Sequence, residues 1–435
     1  MMEQESKEYR IEVERLRVGV FIRVEGVPWY RHPFLTSSFR IKSDDQIETL
    51  KALGLKKVVC IPDKSLVAPL KSAKKEAVRP AFSLPGENPV PDAFYEEKRQ
   101  RIEILKAKKE SVARAERQYT ISADQIENIM LSINRGNAQY LDEAIQLSNE
   151  LSGYFVRDRE AIMHVLNMQG NKKDNIYYHS LNVTVLALIL GRSLGFTDDE
   201  MAHLALGAIF HDIGKSRIEK KVLYKRDKLT KPEMLLLRKH PYFGVALLSG
   251  NQEFPVESMD VVYQHHERFD GKGFPRGLCG GSISKLAMVL SVANFYDKLI
   301  NKRDIAKSLT PYQALSYMFS RCSQMFDKEH LSVFIHCMGI YPPGTIVVLN
   351  NEILGMVISV NLAKPLQPSL VLYDPQVPQN EALIIDLEKE TDLYITDSLS
   401  PAKLEKEVYE YLSPRARITY FVDPTFSSGT QSDQH

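Results

Sequence analysis

Histidine and aspartate side chains recur through the middle of the chain in a pattern typical of a metal site. The set consists of His179, His211, Asp212, His240, His265 and His266. Imidazole nitrogens and carboxylate oxygens are the usual ligands of hydrolytic metal ions, and such ligands must converge in space. Each of these side chains stands beside a turn or on a helical pattern that can aim it inward. The sequence therefore predicts a centre with two or three metal ions.

The adjacent residues His211 and Asp212 are the central pair of this set. They follow the apolar run LALGAIF and precede Gly214, so we expect them at the C-terminal end of a helix. Neighbouring helical residues point about 100° apart, which lets two adjacent ligands reach different ions. A carboxylate is suited to bridge two cations about 3.5–4 Å apart, the spacing that activates a shared hydroxide. We therefore assign Asp212 a catalytic role as well as a ligand role.

Three further positions have two interpretations each. Lys215 lies one turn after His211, where its ammonium could neutralise a phosphate oxygen or merely complement the helix terminus. Gly273, in the segment ERFDGKGFP, lets the backbone approach a ligand closely, but a plain surface turn would also contain it. His179 lies on an apolar helical pattern, where a buried core histidine is as compatible as a ligand.

The order of the motifs H-S-x-x-V, HDIGK, K-H-P and HHERFDGKGFP resembles the HD-GYP family, a branch of the HD phosphohydrolases, over roughly residues 150–340. The resemblance implies a helical domain that binds two or three metal ions, commonly iron or manganese, and hydrolyses cyclic di-GMP to pGpG or onward to GMP. It implies metal ligation by the six residues above and places Lys215 near the scissile phosphate. Arg303 and Asp297 match family residues, and we assign both to substrate binding, together with Gly273.

Three positions depart from the family pattern. Asn294 stands where the family has a ligating aspartate; its amide oxygen can still bind metal, but without a charge. Asn175 stands where trinuclear members have a glutamate, so we expect two divalent cations rather than three. Phe274 replaces the signature tyrosine. The resemblance thus implies a binuclear iron or manganese centre that includes Asn294 among its ligands.

Two other functions stay open at this point. Cyclic GMP-AMP shares its phosphodiester chemistry with cyclic di-GMP, so the sequence does not separate the two substrates. A catalytically weak domain that binds the dinucleotide or a protein partner would be compatible with Asn294 and Phe274. The HDIGK and HHE segments argue against that second alternative, because a pure binding module has no need of six convergent ligands.

Composition limits the partners and the location. Lys and Arg total 56 and Asp and Glu total 55, so no global field favours a nucleic-acid polymer or an anionic membrane. The four cysteines are scattered without a C-x-x-C pair, which fits a reducing compartment. The N-terminus is too charged for a signal peptide, and the apolar run LNVTVLALILGRSLG is too short to cross a bilayer. We expect a cytoplasmic bacterial signalling enzyme that does not insert into membranes.

The patterning predicts a multidomain protein whose core is an all-α, HD-type helical bundle. Alternating apolar residues and a capped helix pattern predict a small N-terminal α/β module, and short strands after YPPG predict a small C-terminal β appendage. The N-terminal module resembles a domain of unknown function that precedes some HD-GYP domains, and we expect it to sense a signal, to bind protein partners or to form a homodimer. The predicted segments are the module (1–70), a linker and charged helix (71–121), the catalytic domain (122–340), the β extension (341–397), and a C-terminal helix with a disordered tail (398–435).

Overall fold

The computed structural model describes most of the chain. The described residues are 8–25, 32, 34, 37–70, 92–134, 139–155, 158–167, 176–225, 227–302, 307–390 and 392–413. They divide into two compact units. One contains the residues up to Lys106 together with Leu372–Ile384, and the other contains Ala107–Val371 and the residues from Ile385 onward.

The first unit contains a four-stranded antiparallel sheet and a short helix. In chain order the elements are β1 (Tyr9–Glu12), β2 (Phe21–Arg23), β3 (Ser38–Arg40), α1 (Asp44–Ala52) and β4 (Lys57–Cys60). The sheet has the order β1-β4-β2-β3, with Tyr9 opposite Cys60. Helix α1 begins after Ser43, and Gly54, with φ of 73°, turns the chain towards β4. Sheet and helix share a small apolar core, which confirms the predicted α/β module.

The second unit is a helical bundle, which confirms the predicted core. Its helices are α2 (Asp92–Asn134), α3 (Tyr140–Phe155), α4 (Arg159–Asn167), α5 (Ile176–Ser193), α6 (Asp198–Phe210), α7 (Lys220–Leu223), α8 (Lys231–Leu237), α9 (His240–Leu248), α10 (Val256–Gln264), α11 (Lys285–Ile300), α12 (Pro311–Arg321) and α13 (Lys328–Met338). Helix α2 begins in the first unit. Helix α5 packs against α3, α6, α11 and α13, and Ser180–Gly191 are all buried. A helix that is buried on every side belongs at the centre of a bundle.

Local signals fix the start of the helices that matter for the site. The Thr197 side chain accepts a hydrogen bond from the Glu200 N–H, and the Glu200 side chain returns to the Thr197 N–H, which starts α6. Thr310 and Gln313 form the same capping box at α12, with Pro311 in the first helical position. These caps set the register of each helix and therefore the direction of its side chains.

A glycine brings α6 close to α10. A Cβ atom on Gly207 would lie 2.5 Å from Val261 Cβ and 3.0 Å from the Ser258 carbonyl oxygen. Only glycine permits this approach, because real Cβ atoms do not come so near to other heavy atoms. The close packing holds the C-terminal ends of the two helices side by side, and both ends carry candidate metal ligands.

The C-terminal part of the chain is a small sheet followed by a short helix. Its elements are β5 (Ile346–Leu349), β6 (Leu354–Ser359), β7 (Ser369–Leu372), β8 (Ile384–Asp386), β9 (Ile395–Leu399) and α14 (Lys406–Leu412). The strand order is β8-β7-β6-β5-β9, and β5 pairs antiparallel with both β6 and β9. This confirms the predicted β appendage.

The predicted segment boundaries stay a prediction. Helix α2 runs without a break across the predicted boundary at residue 121. Residues 71–91 of the predicted linker and the predicted disordered tail lie outside the described residues. Among the residues that are described, no helix combines the length and the apolar character that a bilayer crossing requires.

Candidate metal centre

The bundle brings the six predicted ligands together. His179 lies on α5, His211 and Asp212 directly follow α6, His240 starts α9, and His265 and His266 directly follow α10. Their ligand atoms form two groups, each with all atoms within 4.8 Å of one another. One group contains His179, His211 and Asp212, and the other contains Asp212, His240, His265 and His266. Asp212 belongs to both groups.

The Asp212 carboxylate turns one oxygen towards each group. Its Oδ2 lies 3.5 Å from His179 Nε2 and 3.4 Å from His211 Nε2. Its Oδ1 lies 3.2 Å from His240 Nε2 and 3.7 Å from His265 Nε2. The side chain is fully buried. This is the arrangement that a carboxylate needs to bridge two cations.

Backbone carbonyls orient three of the imidazoles. Each ring places its Nδ1 against the carbonyl oxygen three residues earlier: His211 on Ala208 at 2.7 Å, His240 on Leu237 at 2.7 Å, and His265 on Val262 at 2.8 Å. A carbonyl oxygen only accepts hydrogen bonds, so each Nδ1 carries the proton and each Nε2 keeps a free lone pair. Those Nε2 atoms all face Asp212, and such anchoring is typical of metal-ligating histidines.

Buried atoms without hydrogen-bond partners show that the residues fit metal ions. These atoms are His179 Nε2, His211 Nε2, Asp212 Oδ1 and Asn294 Oδ1. Nearly all buried polar atoms in proteins have a partner, so a cluster of unpartnered lone pairs indicates a site for cations. The two ligand groups contain nitrogen and oxygen donors and no sulfur. That donor set suits several divalent metals and does not single out zinc.

Electrostatics keeps these residues in the protonation state that metal binding needs. Burial lowers the pKa of His211, His240, His265 and His266, and for the last two, neighbouring imidazoles lower it further. Burial alone would raise the pKa of Asp212, but the Lys215 ammonium and the imidazoles hold it well below its usual range. Neutral imidazoles and an ionised carboxylate are the forms that bind metal.

Two lysines place positive charge at the centre. Lys215 Nζ lies 2.5 Å from Asp212 Oδ2. Lys298, on α11, is half-buried and makes no hydrogen bond or ion pair with any residue that the structure describes. Burial and then the Lys215 charge lower the pKa of Lys298 to about 8. Sequence reasoning missed Lys298, although its position one helical turn after Asn294 was a usable signal.

Asp297 lies behind His179. Its Oδ2 is 2.6 Å from His179 Nδ1, and its Oδ1 accepts hydrogen bonds from Asn182 and Asn301 at 2.8 and 2.7 Å. Asn182 in turn accepts a hydrogen bond from Tyr119. Sequence reasoning missed Tyr119 and Asn182, and no local pattern could have joined residues so far apart. The predicted substrate role of Asp297 stays a prediction.

The segment after the histidine pair folds back onto it. A Cβ atom on Gly273 would lie 2.4 Å from the Arg268 nitrogen and 2.6 Å from the His266 carbonyl oxygen, so the close approach requires glycine. The Phe274 ring stacks on the His266 imidazole with centroids 4.5 Å apart and an interplanar angle of 24°. Gly273 therefore contacts the protein's own backbone, and its substrate contact stays a prediction.

Glu267 braces this segment. Its Oε1 accepts the Arg276 N–H at 2.7 Å, and its Oε2 accepts the Leu278 N–H at 3.0 Å. The carboxylate is buried and belongs to neither ligand group. Glu267 thus stabilises the base of the loop that carries Gly273 and Phe274.

Two residues of the sequence-based assignment lie outside the described part of the chain. They are Arg303, predicted to contact a substrate phosphate, and Asn175, which stands at the position of a third-metal ligand. Asn294 lies one turn before Asp297 on α11, and its side chain is buried. The ligand role of Asn294 stays a prediction, as do the individual roles of the other site residues.

Comparison with known proteins gives three family matches along the chain. Residues 8–144 match a domain of unknown function, DUF3391. Residues 160–330 match the HD domain, and residues 346–407 match a KOW domain associated with the HD domain. The HD match contains both ligand groups.

Three curated relatives are similar to the chain. A cyclic di-GMP phosphodiesterase of Pseudomonas aeruginosa is 29% identical over 366 residues, which cover 84% of each protein. A cyclic di-GMP phosphodiesterase response regulator of Xanthomonas campestris is 36% identical over 145 residues, 33% of this chain and 38% of the relative. A 3'3'-cGAMP-specific phosphodiesterase of Vibrio cholerae is 27% identical over 164 residues, 38% of this chain and 35% of the relative.

Proposed function

We propose that the chain, whose residues 160–330 match the HD domain, belongs to the HD-GYP family and is a metal-dependent phosphodiesterase that hydrolyses cyclic di-GMP to pGpG, GMP or both. The observation that carries this proposal is the Asp212 carboxylate, which turns one oxygen to each of two ligand groups. A binding module has no use for a buried carboxylate between two sets of free imidazole nitrogens. The Pseudomonas relative, which matches along most of its length, supports cyclic di-GMP as the substrate.

Two divalent cations, iron or manganese, fit the donor atoms. One would be held by His179, His211 and Asp212, and the other by Asp212, His240, His265 and His266. The buried amide oxygen of Asn294 is a further candidate ligand. When bound, the two cations supply the activated hydroxide that attacks phosphorus and the charge that polarises its oxygens. Because Asn294 contributes no charge, a cation that it ligates would be bound more weakly than one ligated by an aspartate at this position.

The protein's own residues supply the rest. Asp212 belongs to both ligand groups. Lys215 lies beside it, where its ammonium can also contact a phosphate oxygen of the substrate. Lys298 brings a second ammonium, which forms no direct ion pair with any described residue. Cations that are already in place stabilise the negative charge that develops on the phosphoryl oxygens. Arg303, with its planar guanidinium, serves as a further phosphate contact.

A second substrate is supported by one observation, the similarity to the cGAMP-specific relative. Both dinucleotides present the same phosphodiester to the metal centre, so the residues described here act equally on either. The choice between them therefore depends on contacts to the bases. The third possibility is a domain that binds the dinucleotide but cleaves it little. An experiment must distinguish it from the two phosphodiesterase activities.

Product analysis tests the proposal. Metal-free protein is reconstituted anaerobically with ferrous iron or manganese and incubated separately with cyclic di-GMP and with 3'3'-cGAMP, and the products are separated by chromatography. We expect two metal equivalents and conversion of cyclic di-GMP to pGpG or GMP. The double variant His211→Ala, Asp212→Ala should give no product. His203→Ala, on the same helix α6 but outside both ligand groups, is the matched control and should keep full activity.

Each contrary result has a distinct meaning. Faster cleavage of 3'3'-cGAMP would reassign the substrate. Two bound metals without cleavage of either dinucleotide would favour the binding domain. Undiminished turnover by the double variant would overturn the metal mechanism.

A further inference from the structure

A chain of hydrogen bonds leads from helix α2 to the metal centre. The Tyr119 hydroxyl lies 2.5 Å from Asn182 Oδ1, Asn182 Nδ2 donates to Asp297 Oδ1 at 2.8 Å, and Asp297 Oδ2 lies 2.6 Å from His179 Nδ1. Tyr119, Asn182 and Asp297 are each at most 2% exposed. Three helices, α2, α5 and α11, contribute to this chain.

The direction of every hydrogen bond follows from the groups involved. The Asp297 carboxylate only accepts, so Asn182 must present its NH₂ group and His179 must present Nδ1–H. The Asn182 carbonyl oxygen then faces Tyr119, whose hydroxyl donates to it. The alternative acceptor for that hydroxyl, the Tyr178 carbonyl oxygen, is 3.5 Å away. This series of hydrogen bonds therefore fixes His179 in one tautomer, with a free lone pair on Nε2.

His179 differs in this respect from the other anchored ligands. His211, His240 and His265 rest on backbone carbonyls three residues earlier, so the adjacent segment of backbone orients each of them. His179 instead depends on side chains from two other helices, and its own side chain is 19% exposed. Its Nε2 points to Asp212 Oδ2 at 3.5 Å. The orientation of His179 is thus set by tertiary packing.

The packing of α2 positions Tyr119. Its ring stacks on Tyr178 with centroids 5.8 Å apart and an interplanar angle of 22°. Ala115 and Ala123, one turn before and one turn after it, are buried in the same core. Helix α2 runs without a break from Asp92, so Tyr119 lies on the helix that follows the N-terminal module in the chain. A rotation or translation of α2 would move the Tyr119 hydroxyl away from Asn182.

We propose that Tyr119 is a positioning residue for the metal centre, which acts through Asn182 and Asp297 to hold His179 as a ligand. Metal occupancy of the group that contains His179 then depends on where α2 places Tyr119. Movement of α2 would switch that group between a binding and a non-binding state. This inference rests on the proposed function only in taking His179 as a metal ligand.

Tyr119→Phe removes the hydroxyl and keeps the ring. In a manganese titration of metal-free protein followed by calorimetry, we expect wild type to bind two equivalents. In the variant, one equivalent should bind as before and the other about 10–100-fold more weakly, the usual effect of losing a residue that orients a ligand. Asn182→Ala should give the same pattern. The double variant Tyr119→Phe, Asn182→Ala should bind manganese no more weakly than either single variant, because all three variants break the same series of hydrogen bonds.

Tyr140→Phe is the matched control. Tyr140 is also a buried tyrosine whose hydroxyl pairs with an asparagine, Asn251, but it belongs to α3, and no hydrogen bond among the described residues joins it to His179. Tyr140→Phe should lose about as much stability in thermal unfolding as Tyr119→Phe. It should bind both equivalents of manganese as tightly as wild type does. Equal metal affinity of Tyr119→Phe and wild type would overturn the inference.

A second readout does not depend on metal. Histidine ¹⁵N NMR of the metal-free protein, assigned with His179→Gln, reports which ring nitrogen carries the proton. We expect the Nδ1–H form of His179 in wild type and a mixture of tautomers in Tyr119→Phe. An unchanged tautomer would refute the positioning role. A wild-type protein that binds no manganese would refute the proposed function instead, and the NMR result would still decide this inference.

Discussion

Gly214 offers a direct test of how the metal centre is assembled. It lies in the 3-10 turn Ile213–Arg217, just after Asp212, and this turn packs on α9. A Cβ atom at Gly214 would lie 2.0 Å from the His240 carbonyl oxygen and 2.5 Å from the Gly244 nitrogen. Both obstructing atoms belong to the backbone, so no side-chain rotation can relieve the clash. Gly214→Ala must separate the turn from α9.

The size of the effect follows from these distances. Ordinary contact begins at 3.4 Å, so the carbonyl must retreat by 1.4 Å, the difference between 3.4 and 2.0 Å. Overpacking of this kind costs about 3 kcal/mol, the upper end of the usual range, because backbone must move. For a unit of this size that corresponds to a fall in Tm of roughly 4–6 °C. Displacement of His240 from Asp212 by about 1 Å should lower kcat/KM roughly 100-fold.

Thermal unfolding in the presence of a chelator and steady-state turnover with manganese measure the two effects. Gly153→Ala on α3 is the matched control, because no atom of the described residues outside its own helix lies within 4 Å of its Cβ position. That variant should gain about 0.5–1 kcal/mol from improved helix propensity and keep full activity. If Gly214→Ala had the same Tm and the same kcat/KM as wild type, the turn and α9 would be able to move apart without cost, and the reasoning would be wrong.

Two predictions concern charge in the metal-free protein. Unfolding should take up as many as four protons below about pH 6.5, because the folded pKa values of four imidazoles lie below their unfolded values. The free energy of unfolding should therefore fall by about 1.4 kcal/mol for each of these imidazoles and each pH unit as the pH drops. Equal denaturation midpoints at pH 5 and pH 8 would contradict this prediction. Lys298→Met should stabilise the protein by roughly 1–3 kcal/mol at pH 7, because burial lowers the pKa of Lys298 to about 8. The gain in stability should shrink as the pH rises from 8 towards 10.5, because the buried ammonium then loses its proton. A gain that stays constant over this pH range in urea denaturation would count against burial of the charge as its cause.

The sequence predicted the parts of this protein that local pattern determines. The helices, the two small β-containing regions and the convergence of six ligands all followed from periodicity, capping residues and motif order. His211 and Asp212 could be placed at a helix end because an apolar run precedes them and Gly214 follows. Each of these signals is carried by residues within a few positions of one another.

What could not be predicted depends on packing between distant segments. Tyr119 and Asn182 are 63 positions apart and meet only because α2 packs on α5. The contact of Gly214 with α9 likewise depends on how a turn and a helix meet in space. Strand β9 pairs with β5 from far along the chain, and sequence pattern had indicated only the nearer strands. No local period encodes such partners.

The two backbone hydrogen bonds of Glu267 have an evolutionary consequence. They clamp both ends of the segment from Arg268 to Gly277 at its base, next to the imidazole pair. Side chains of the clamped segment can therefore be exchanged, as the phenyl ring at Phe274 illustrates, while the frame that holds the imidazoles keeps its shape. Gly273 is the exception, because its contacts with the backbone of Glu267 and Arg268 require glycine.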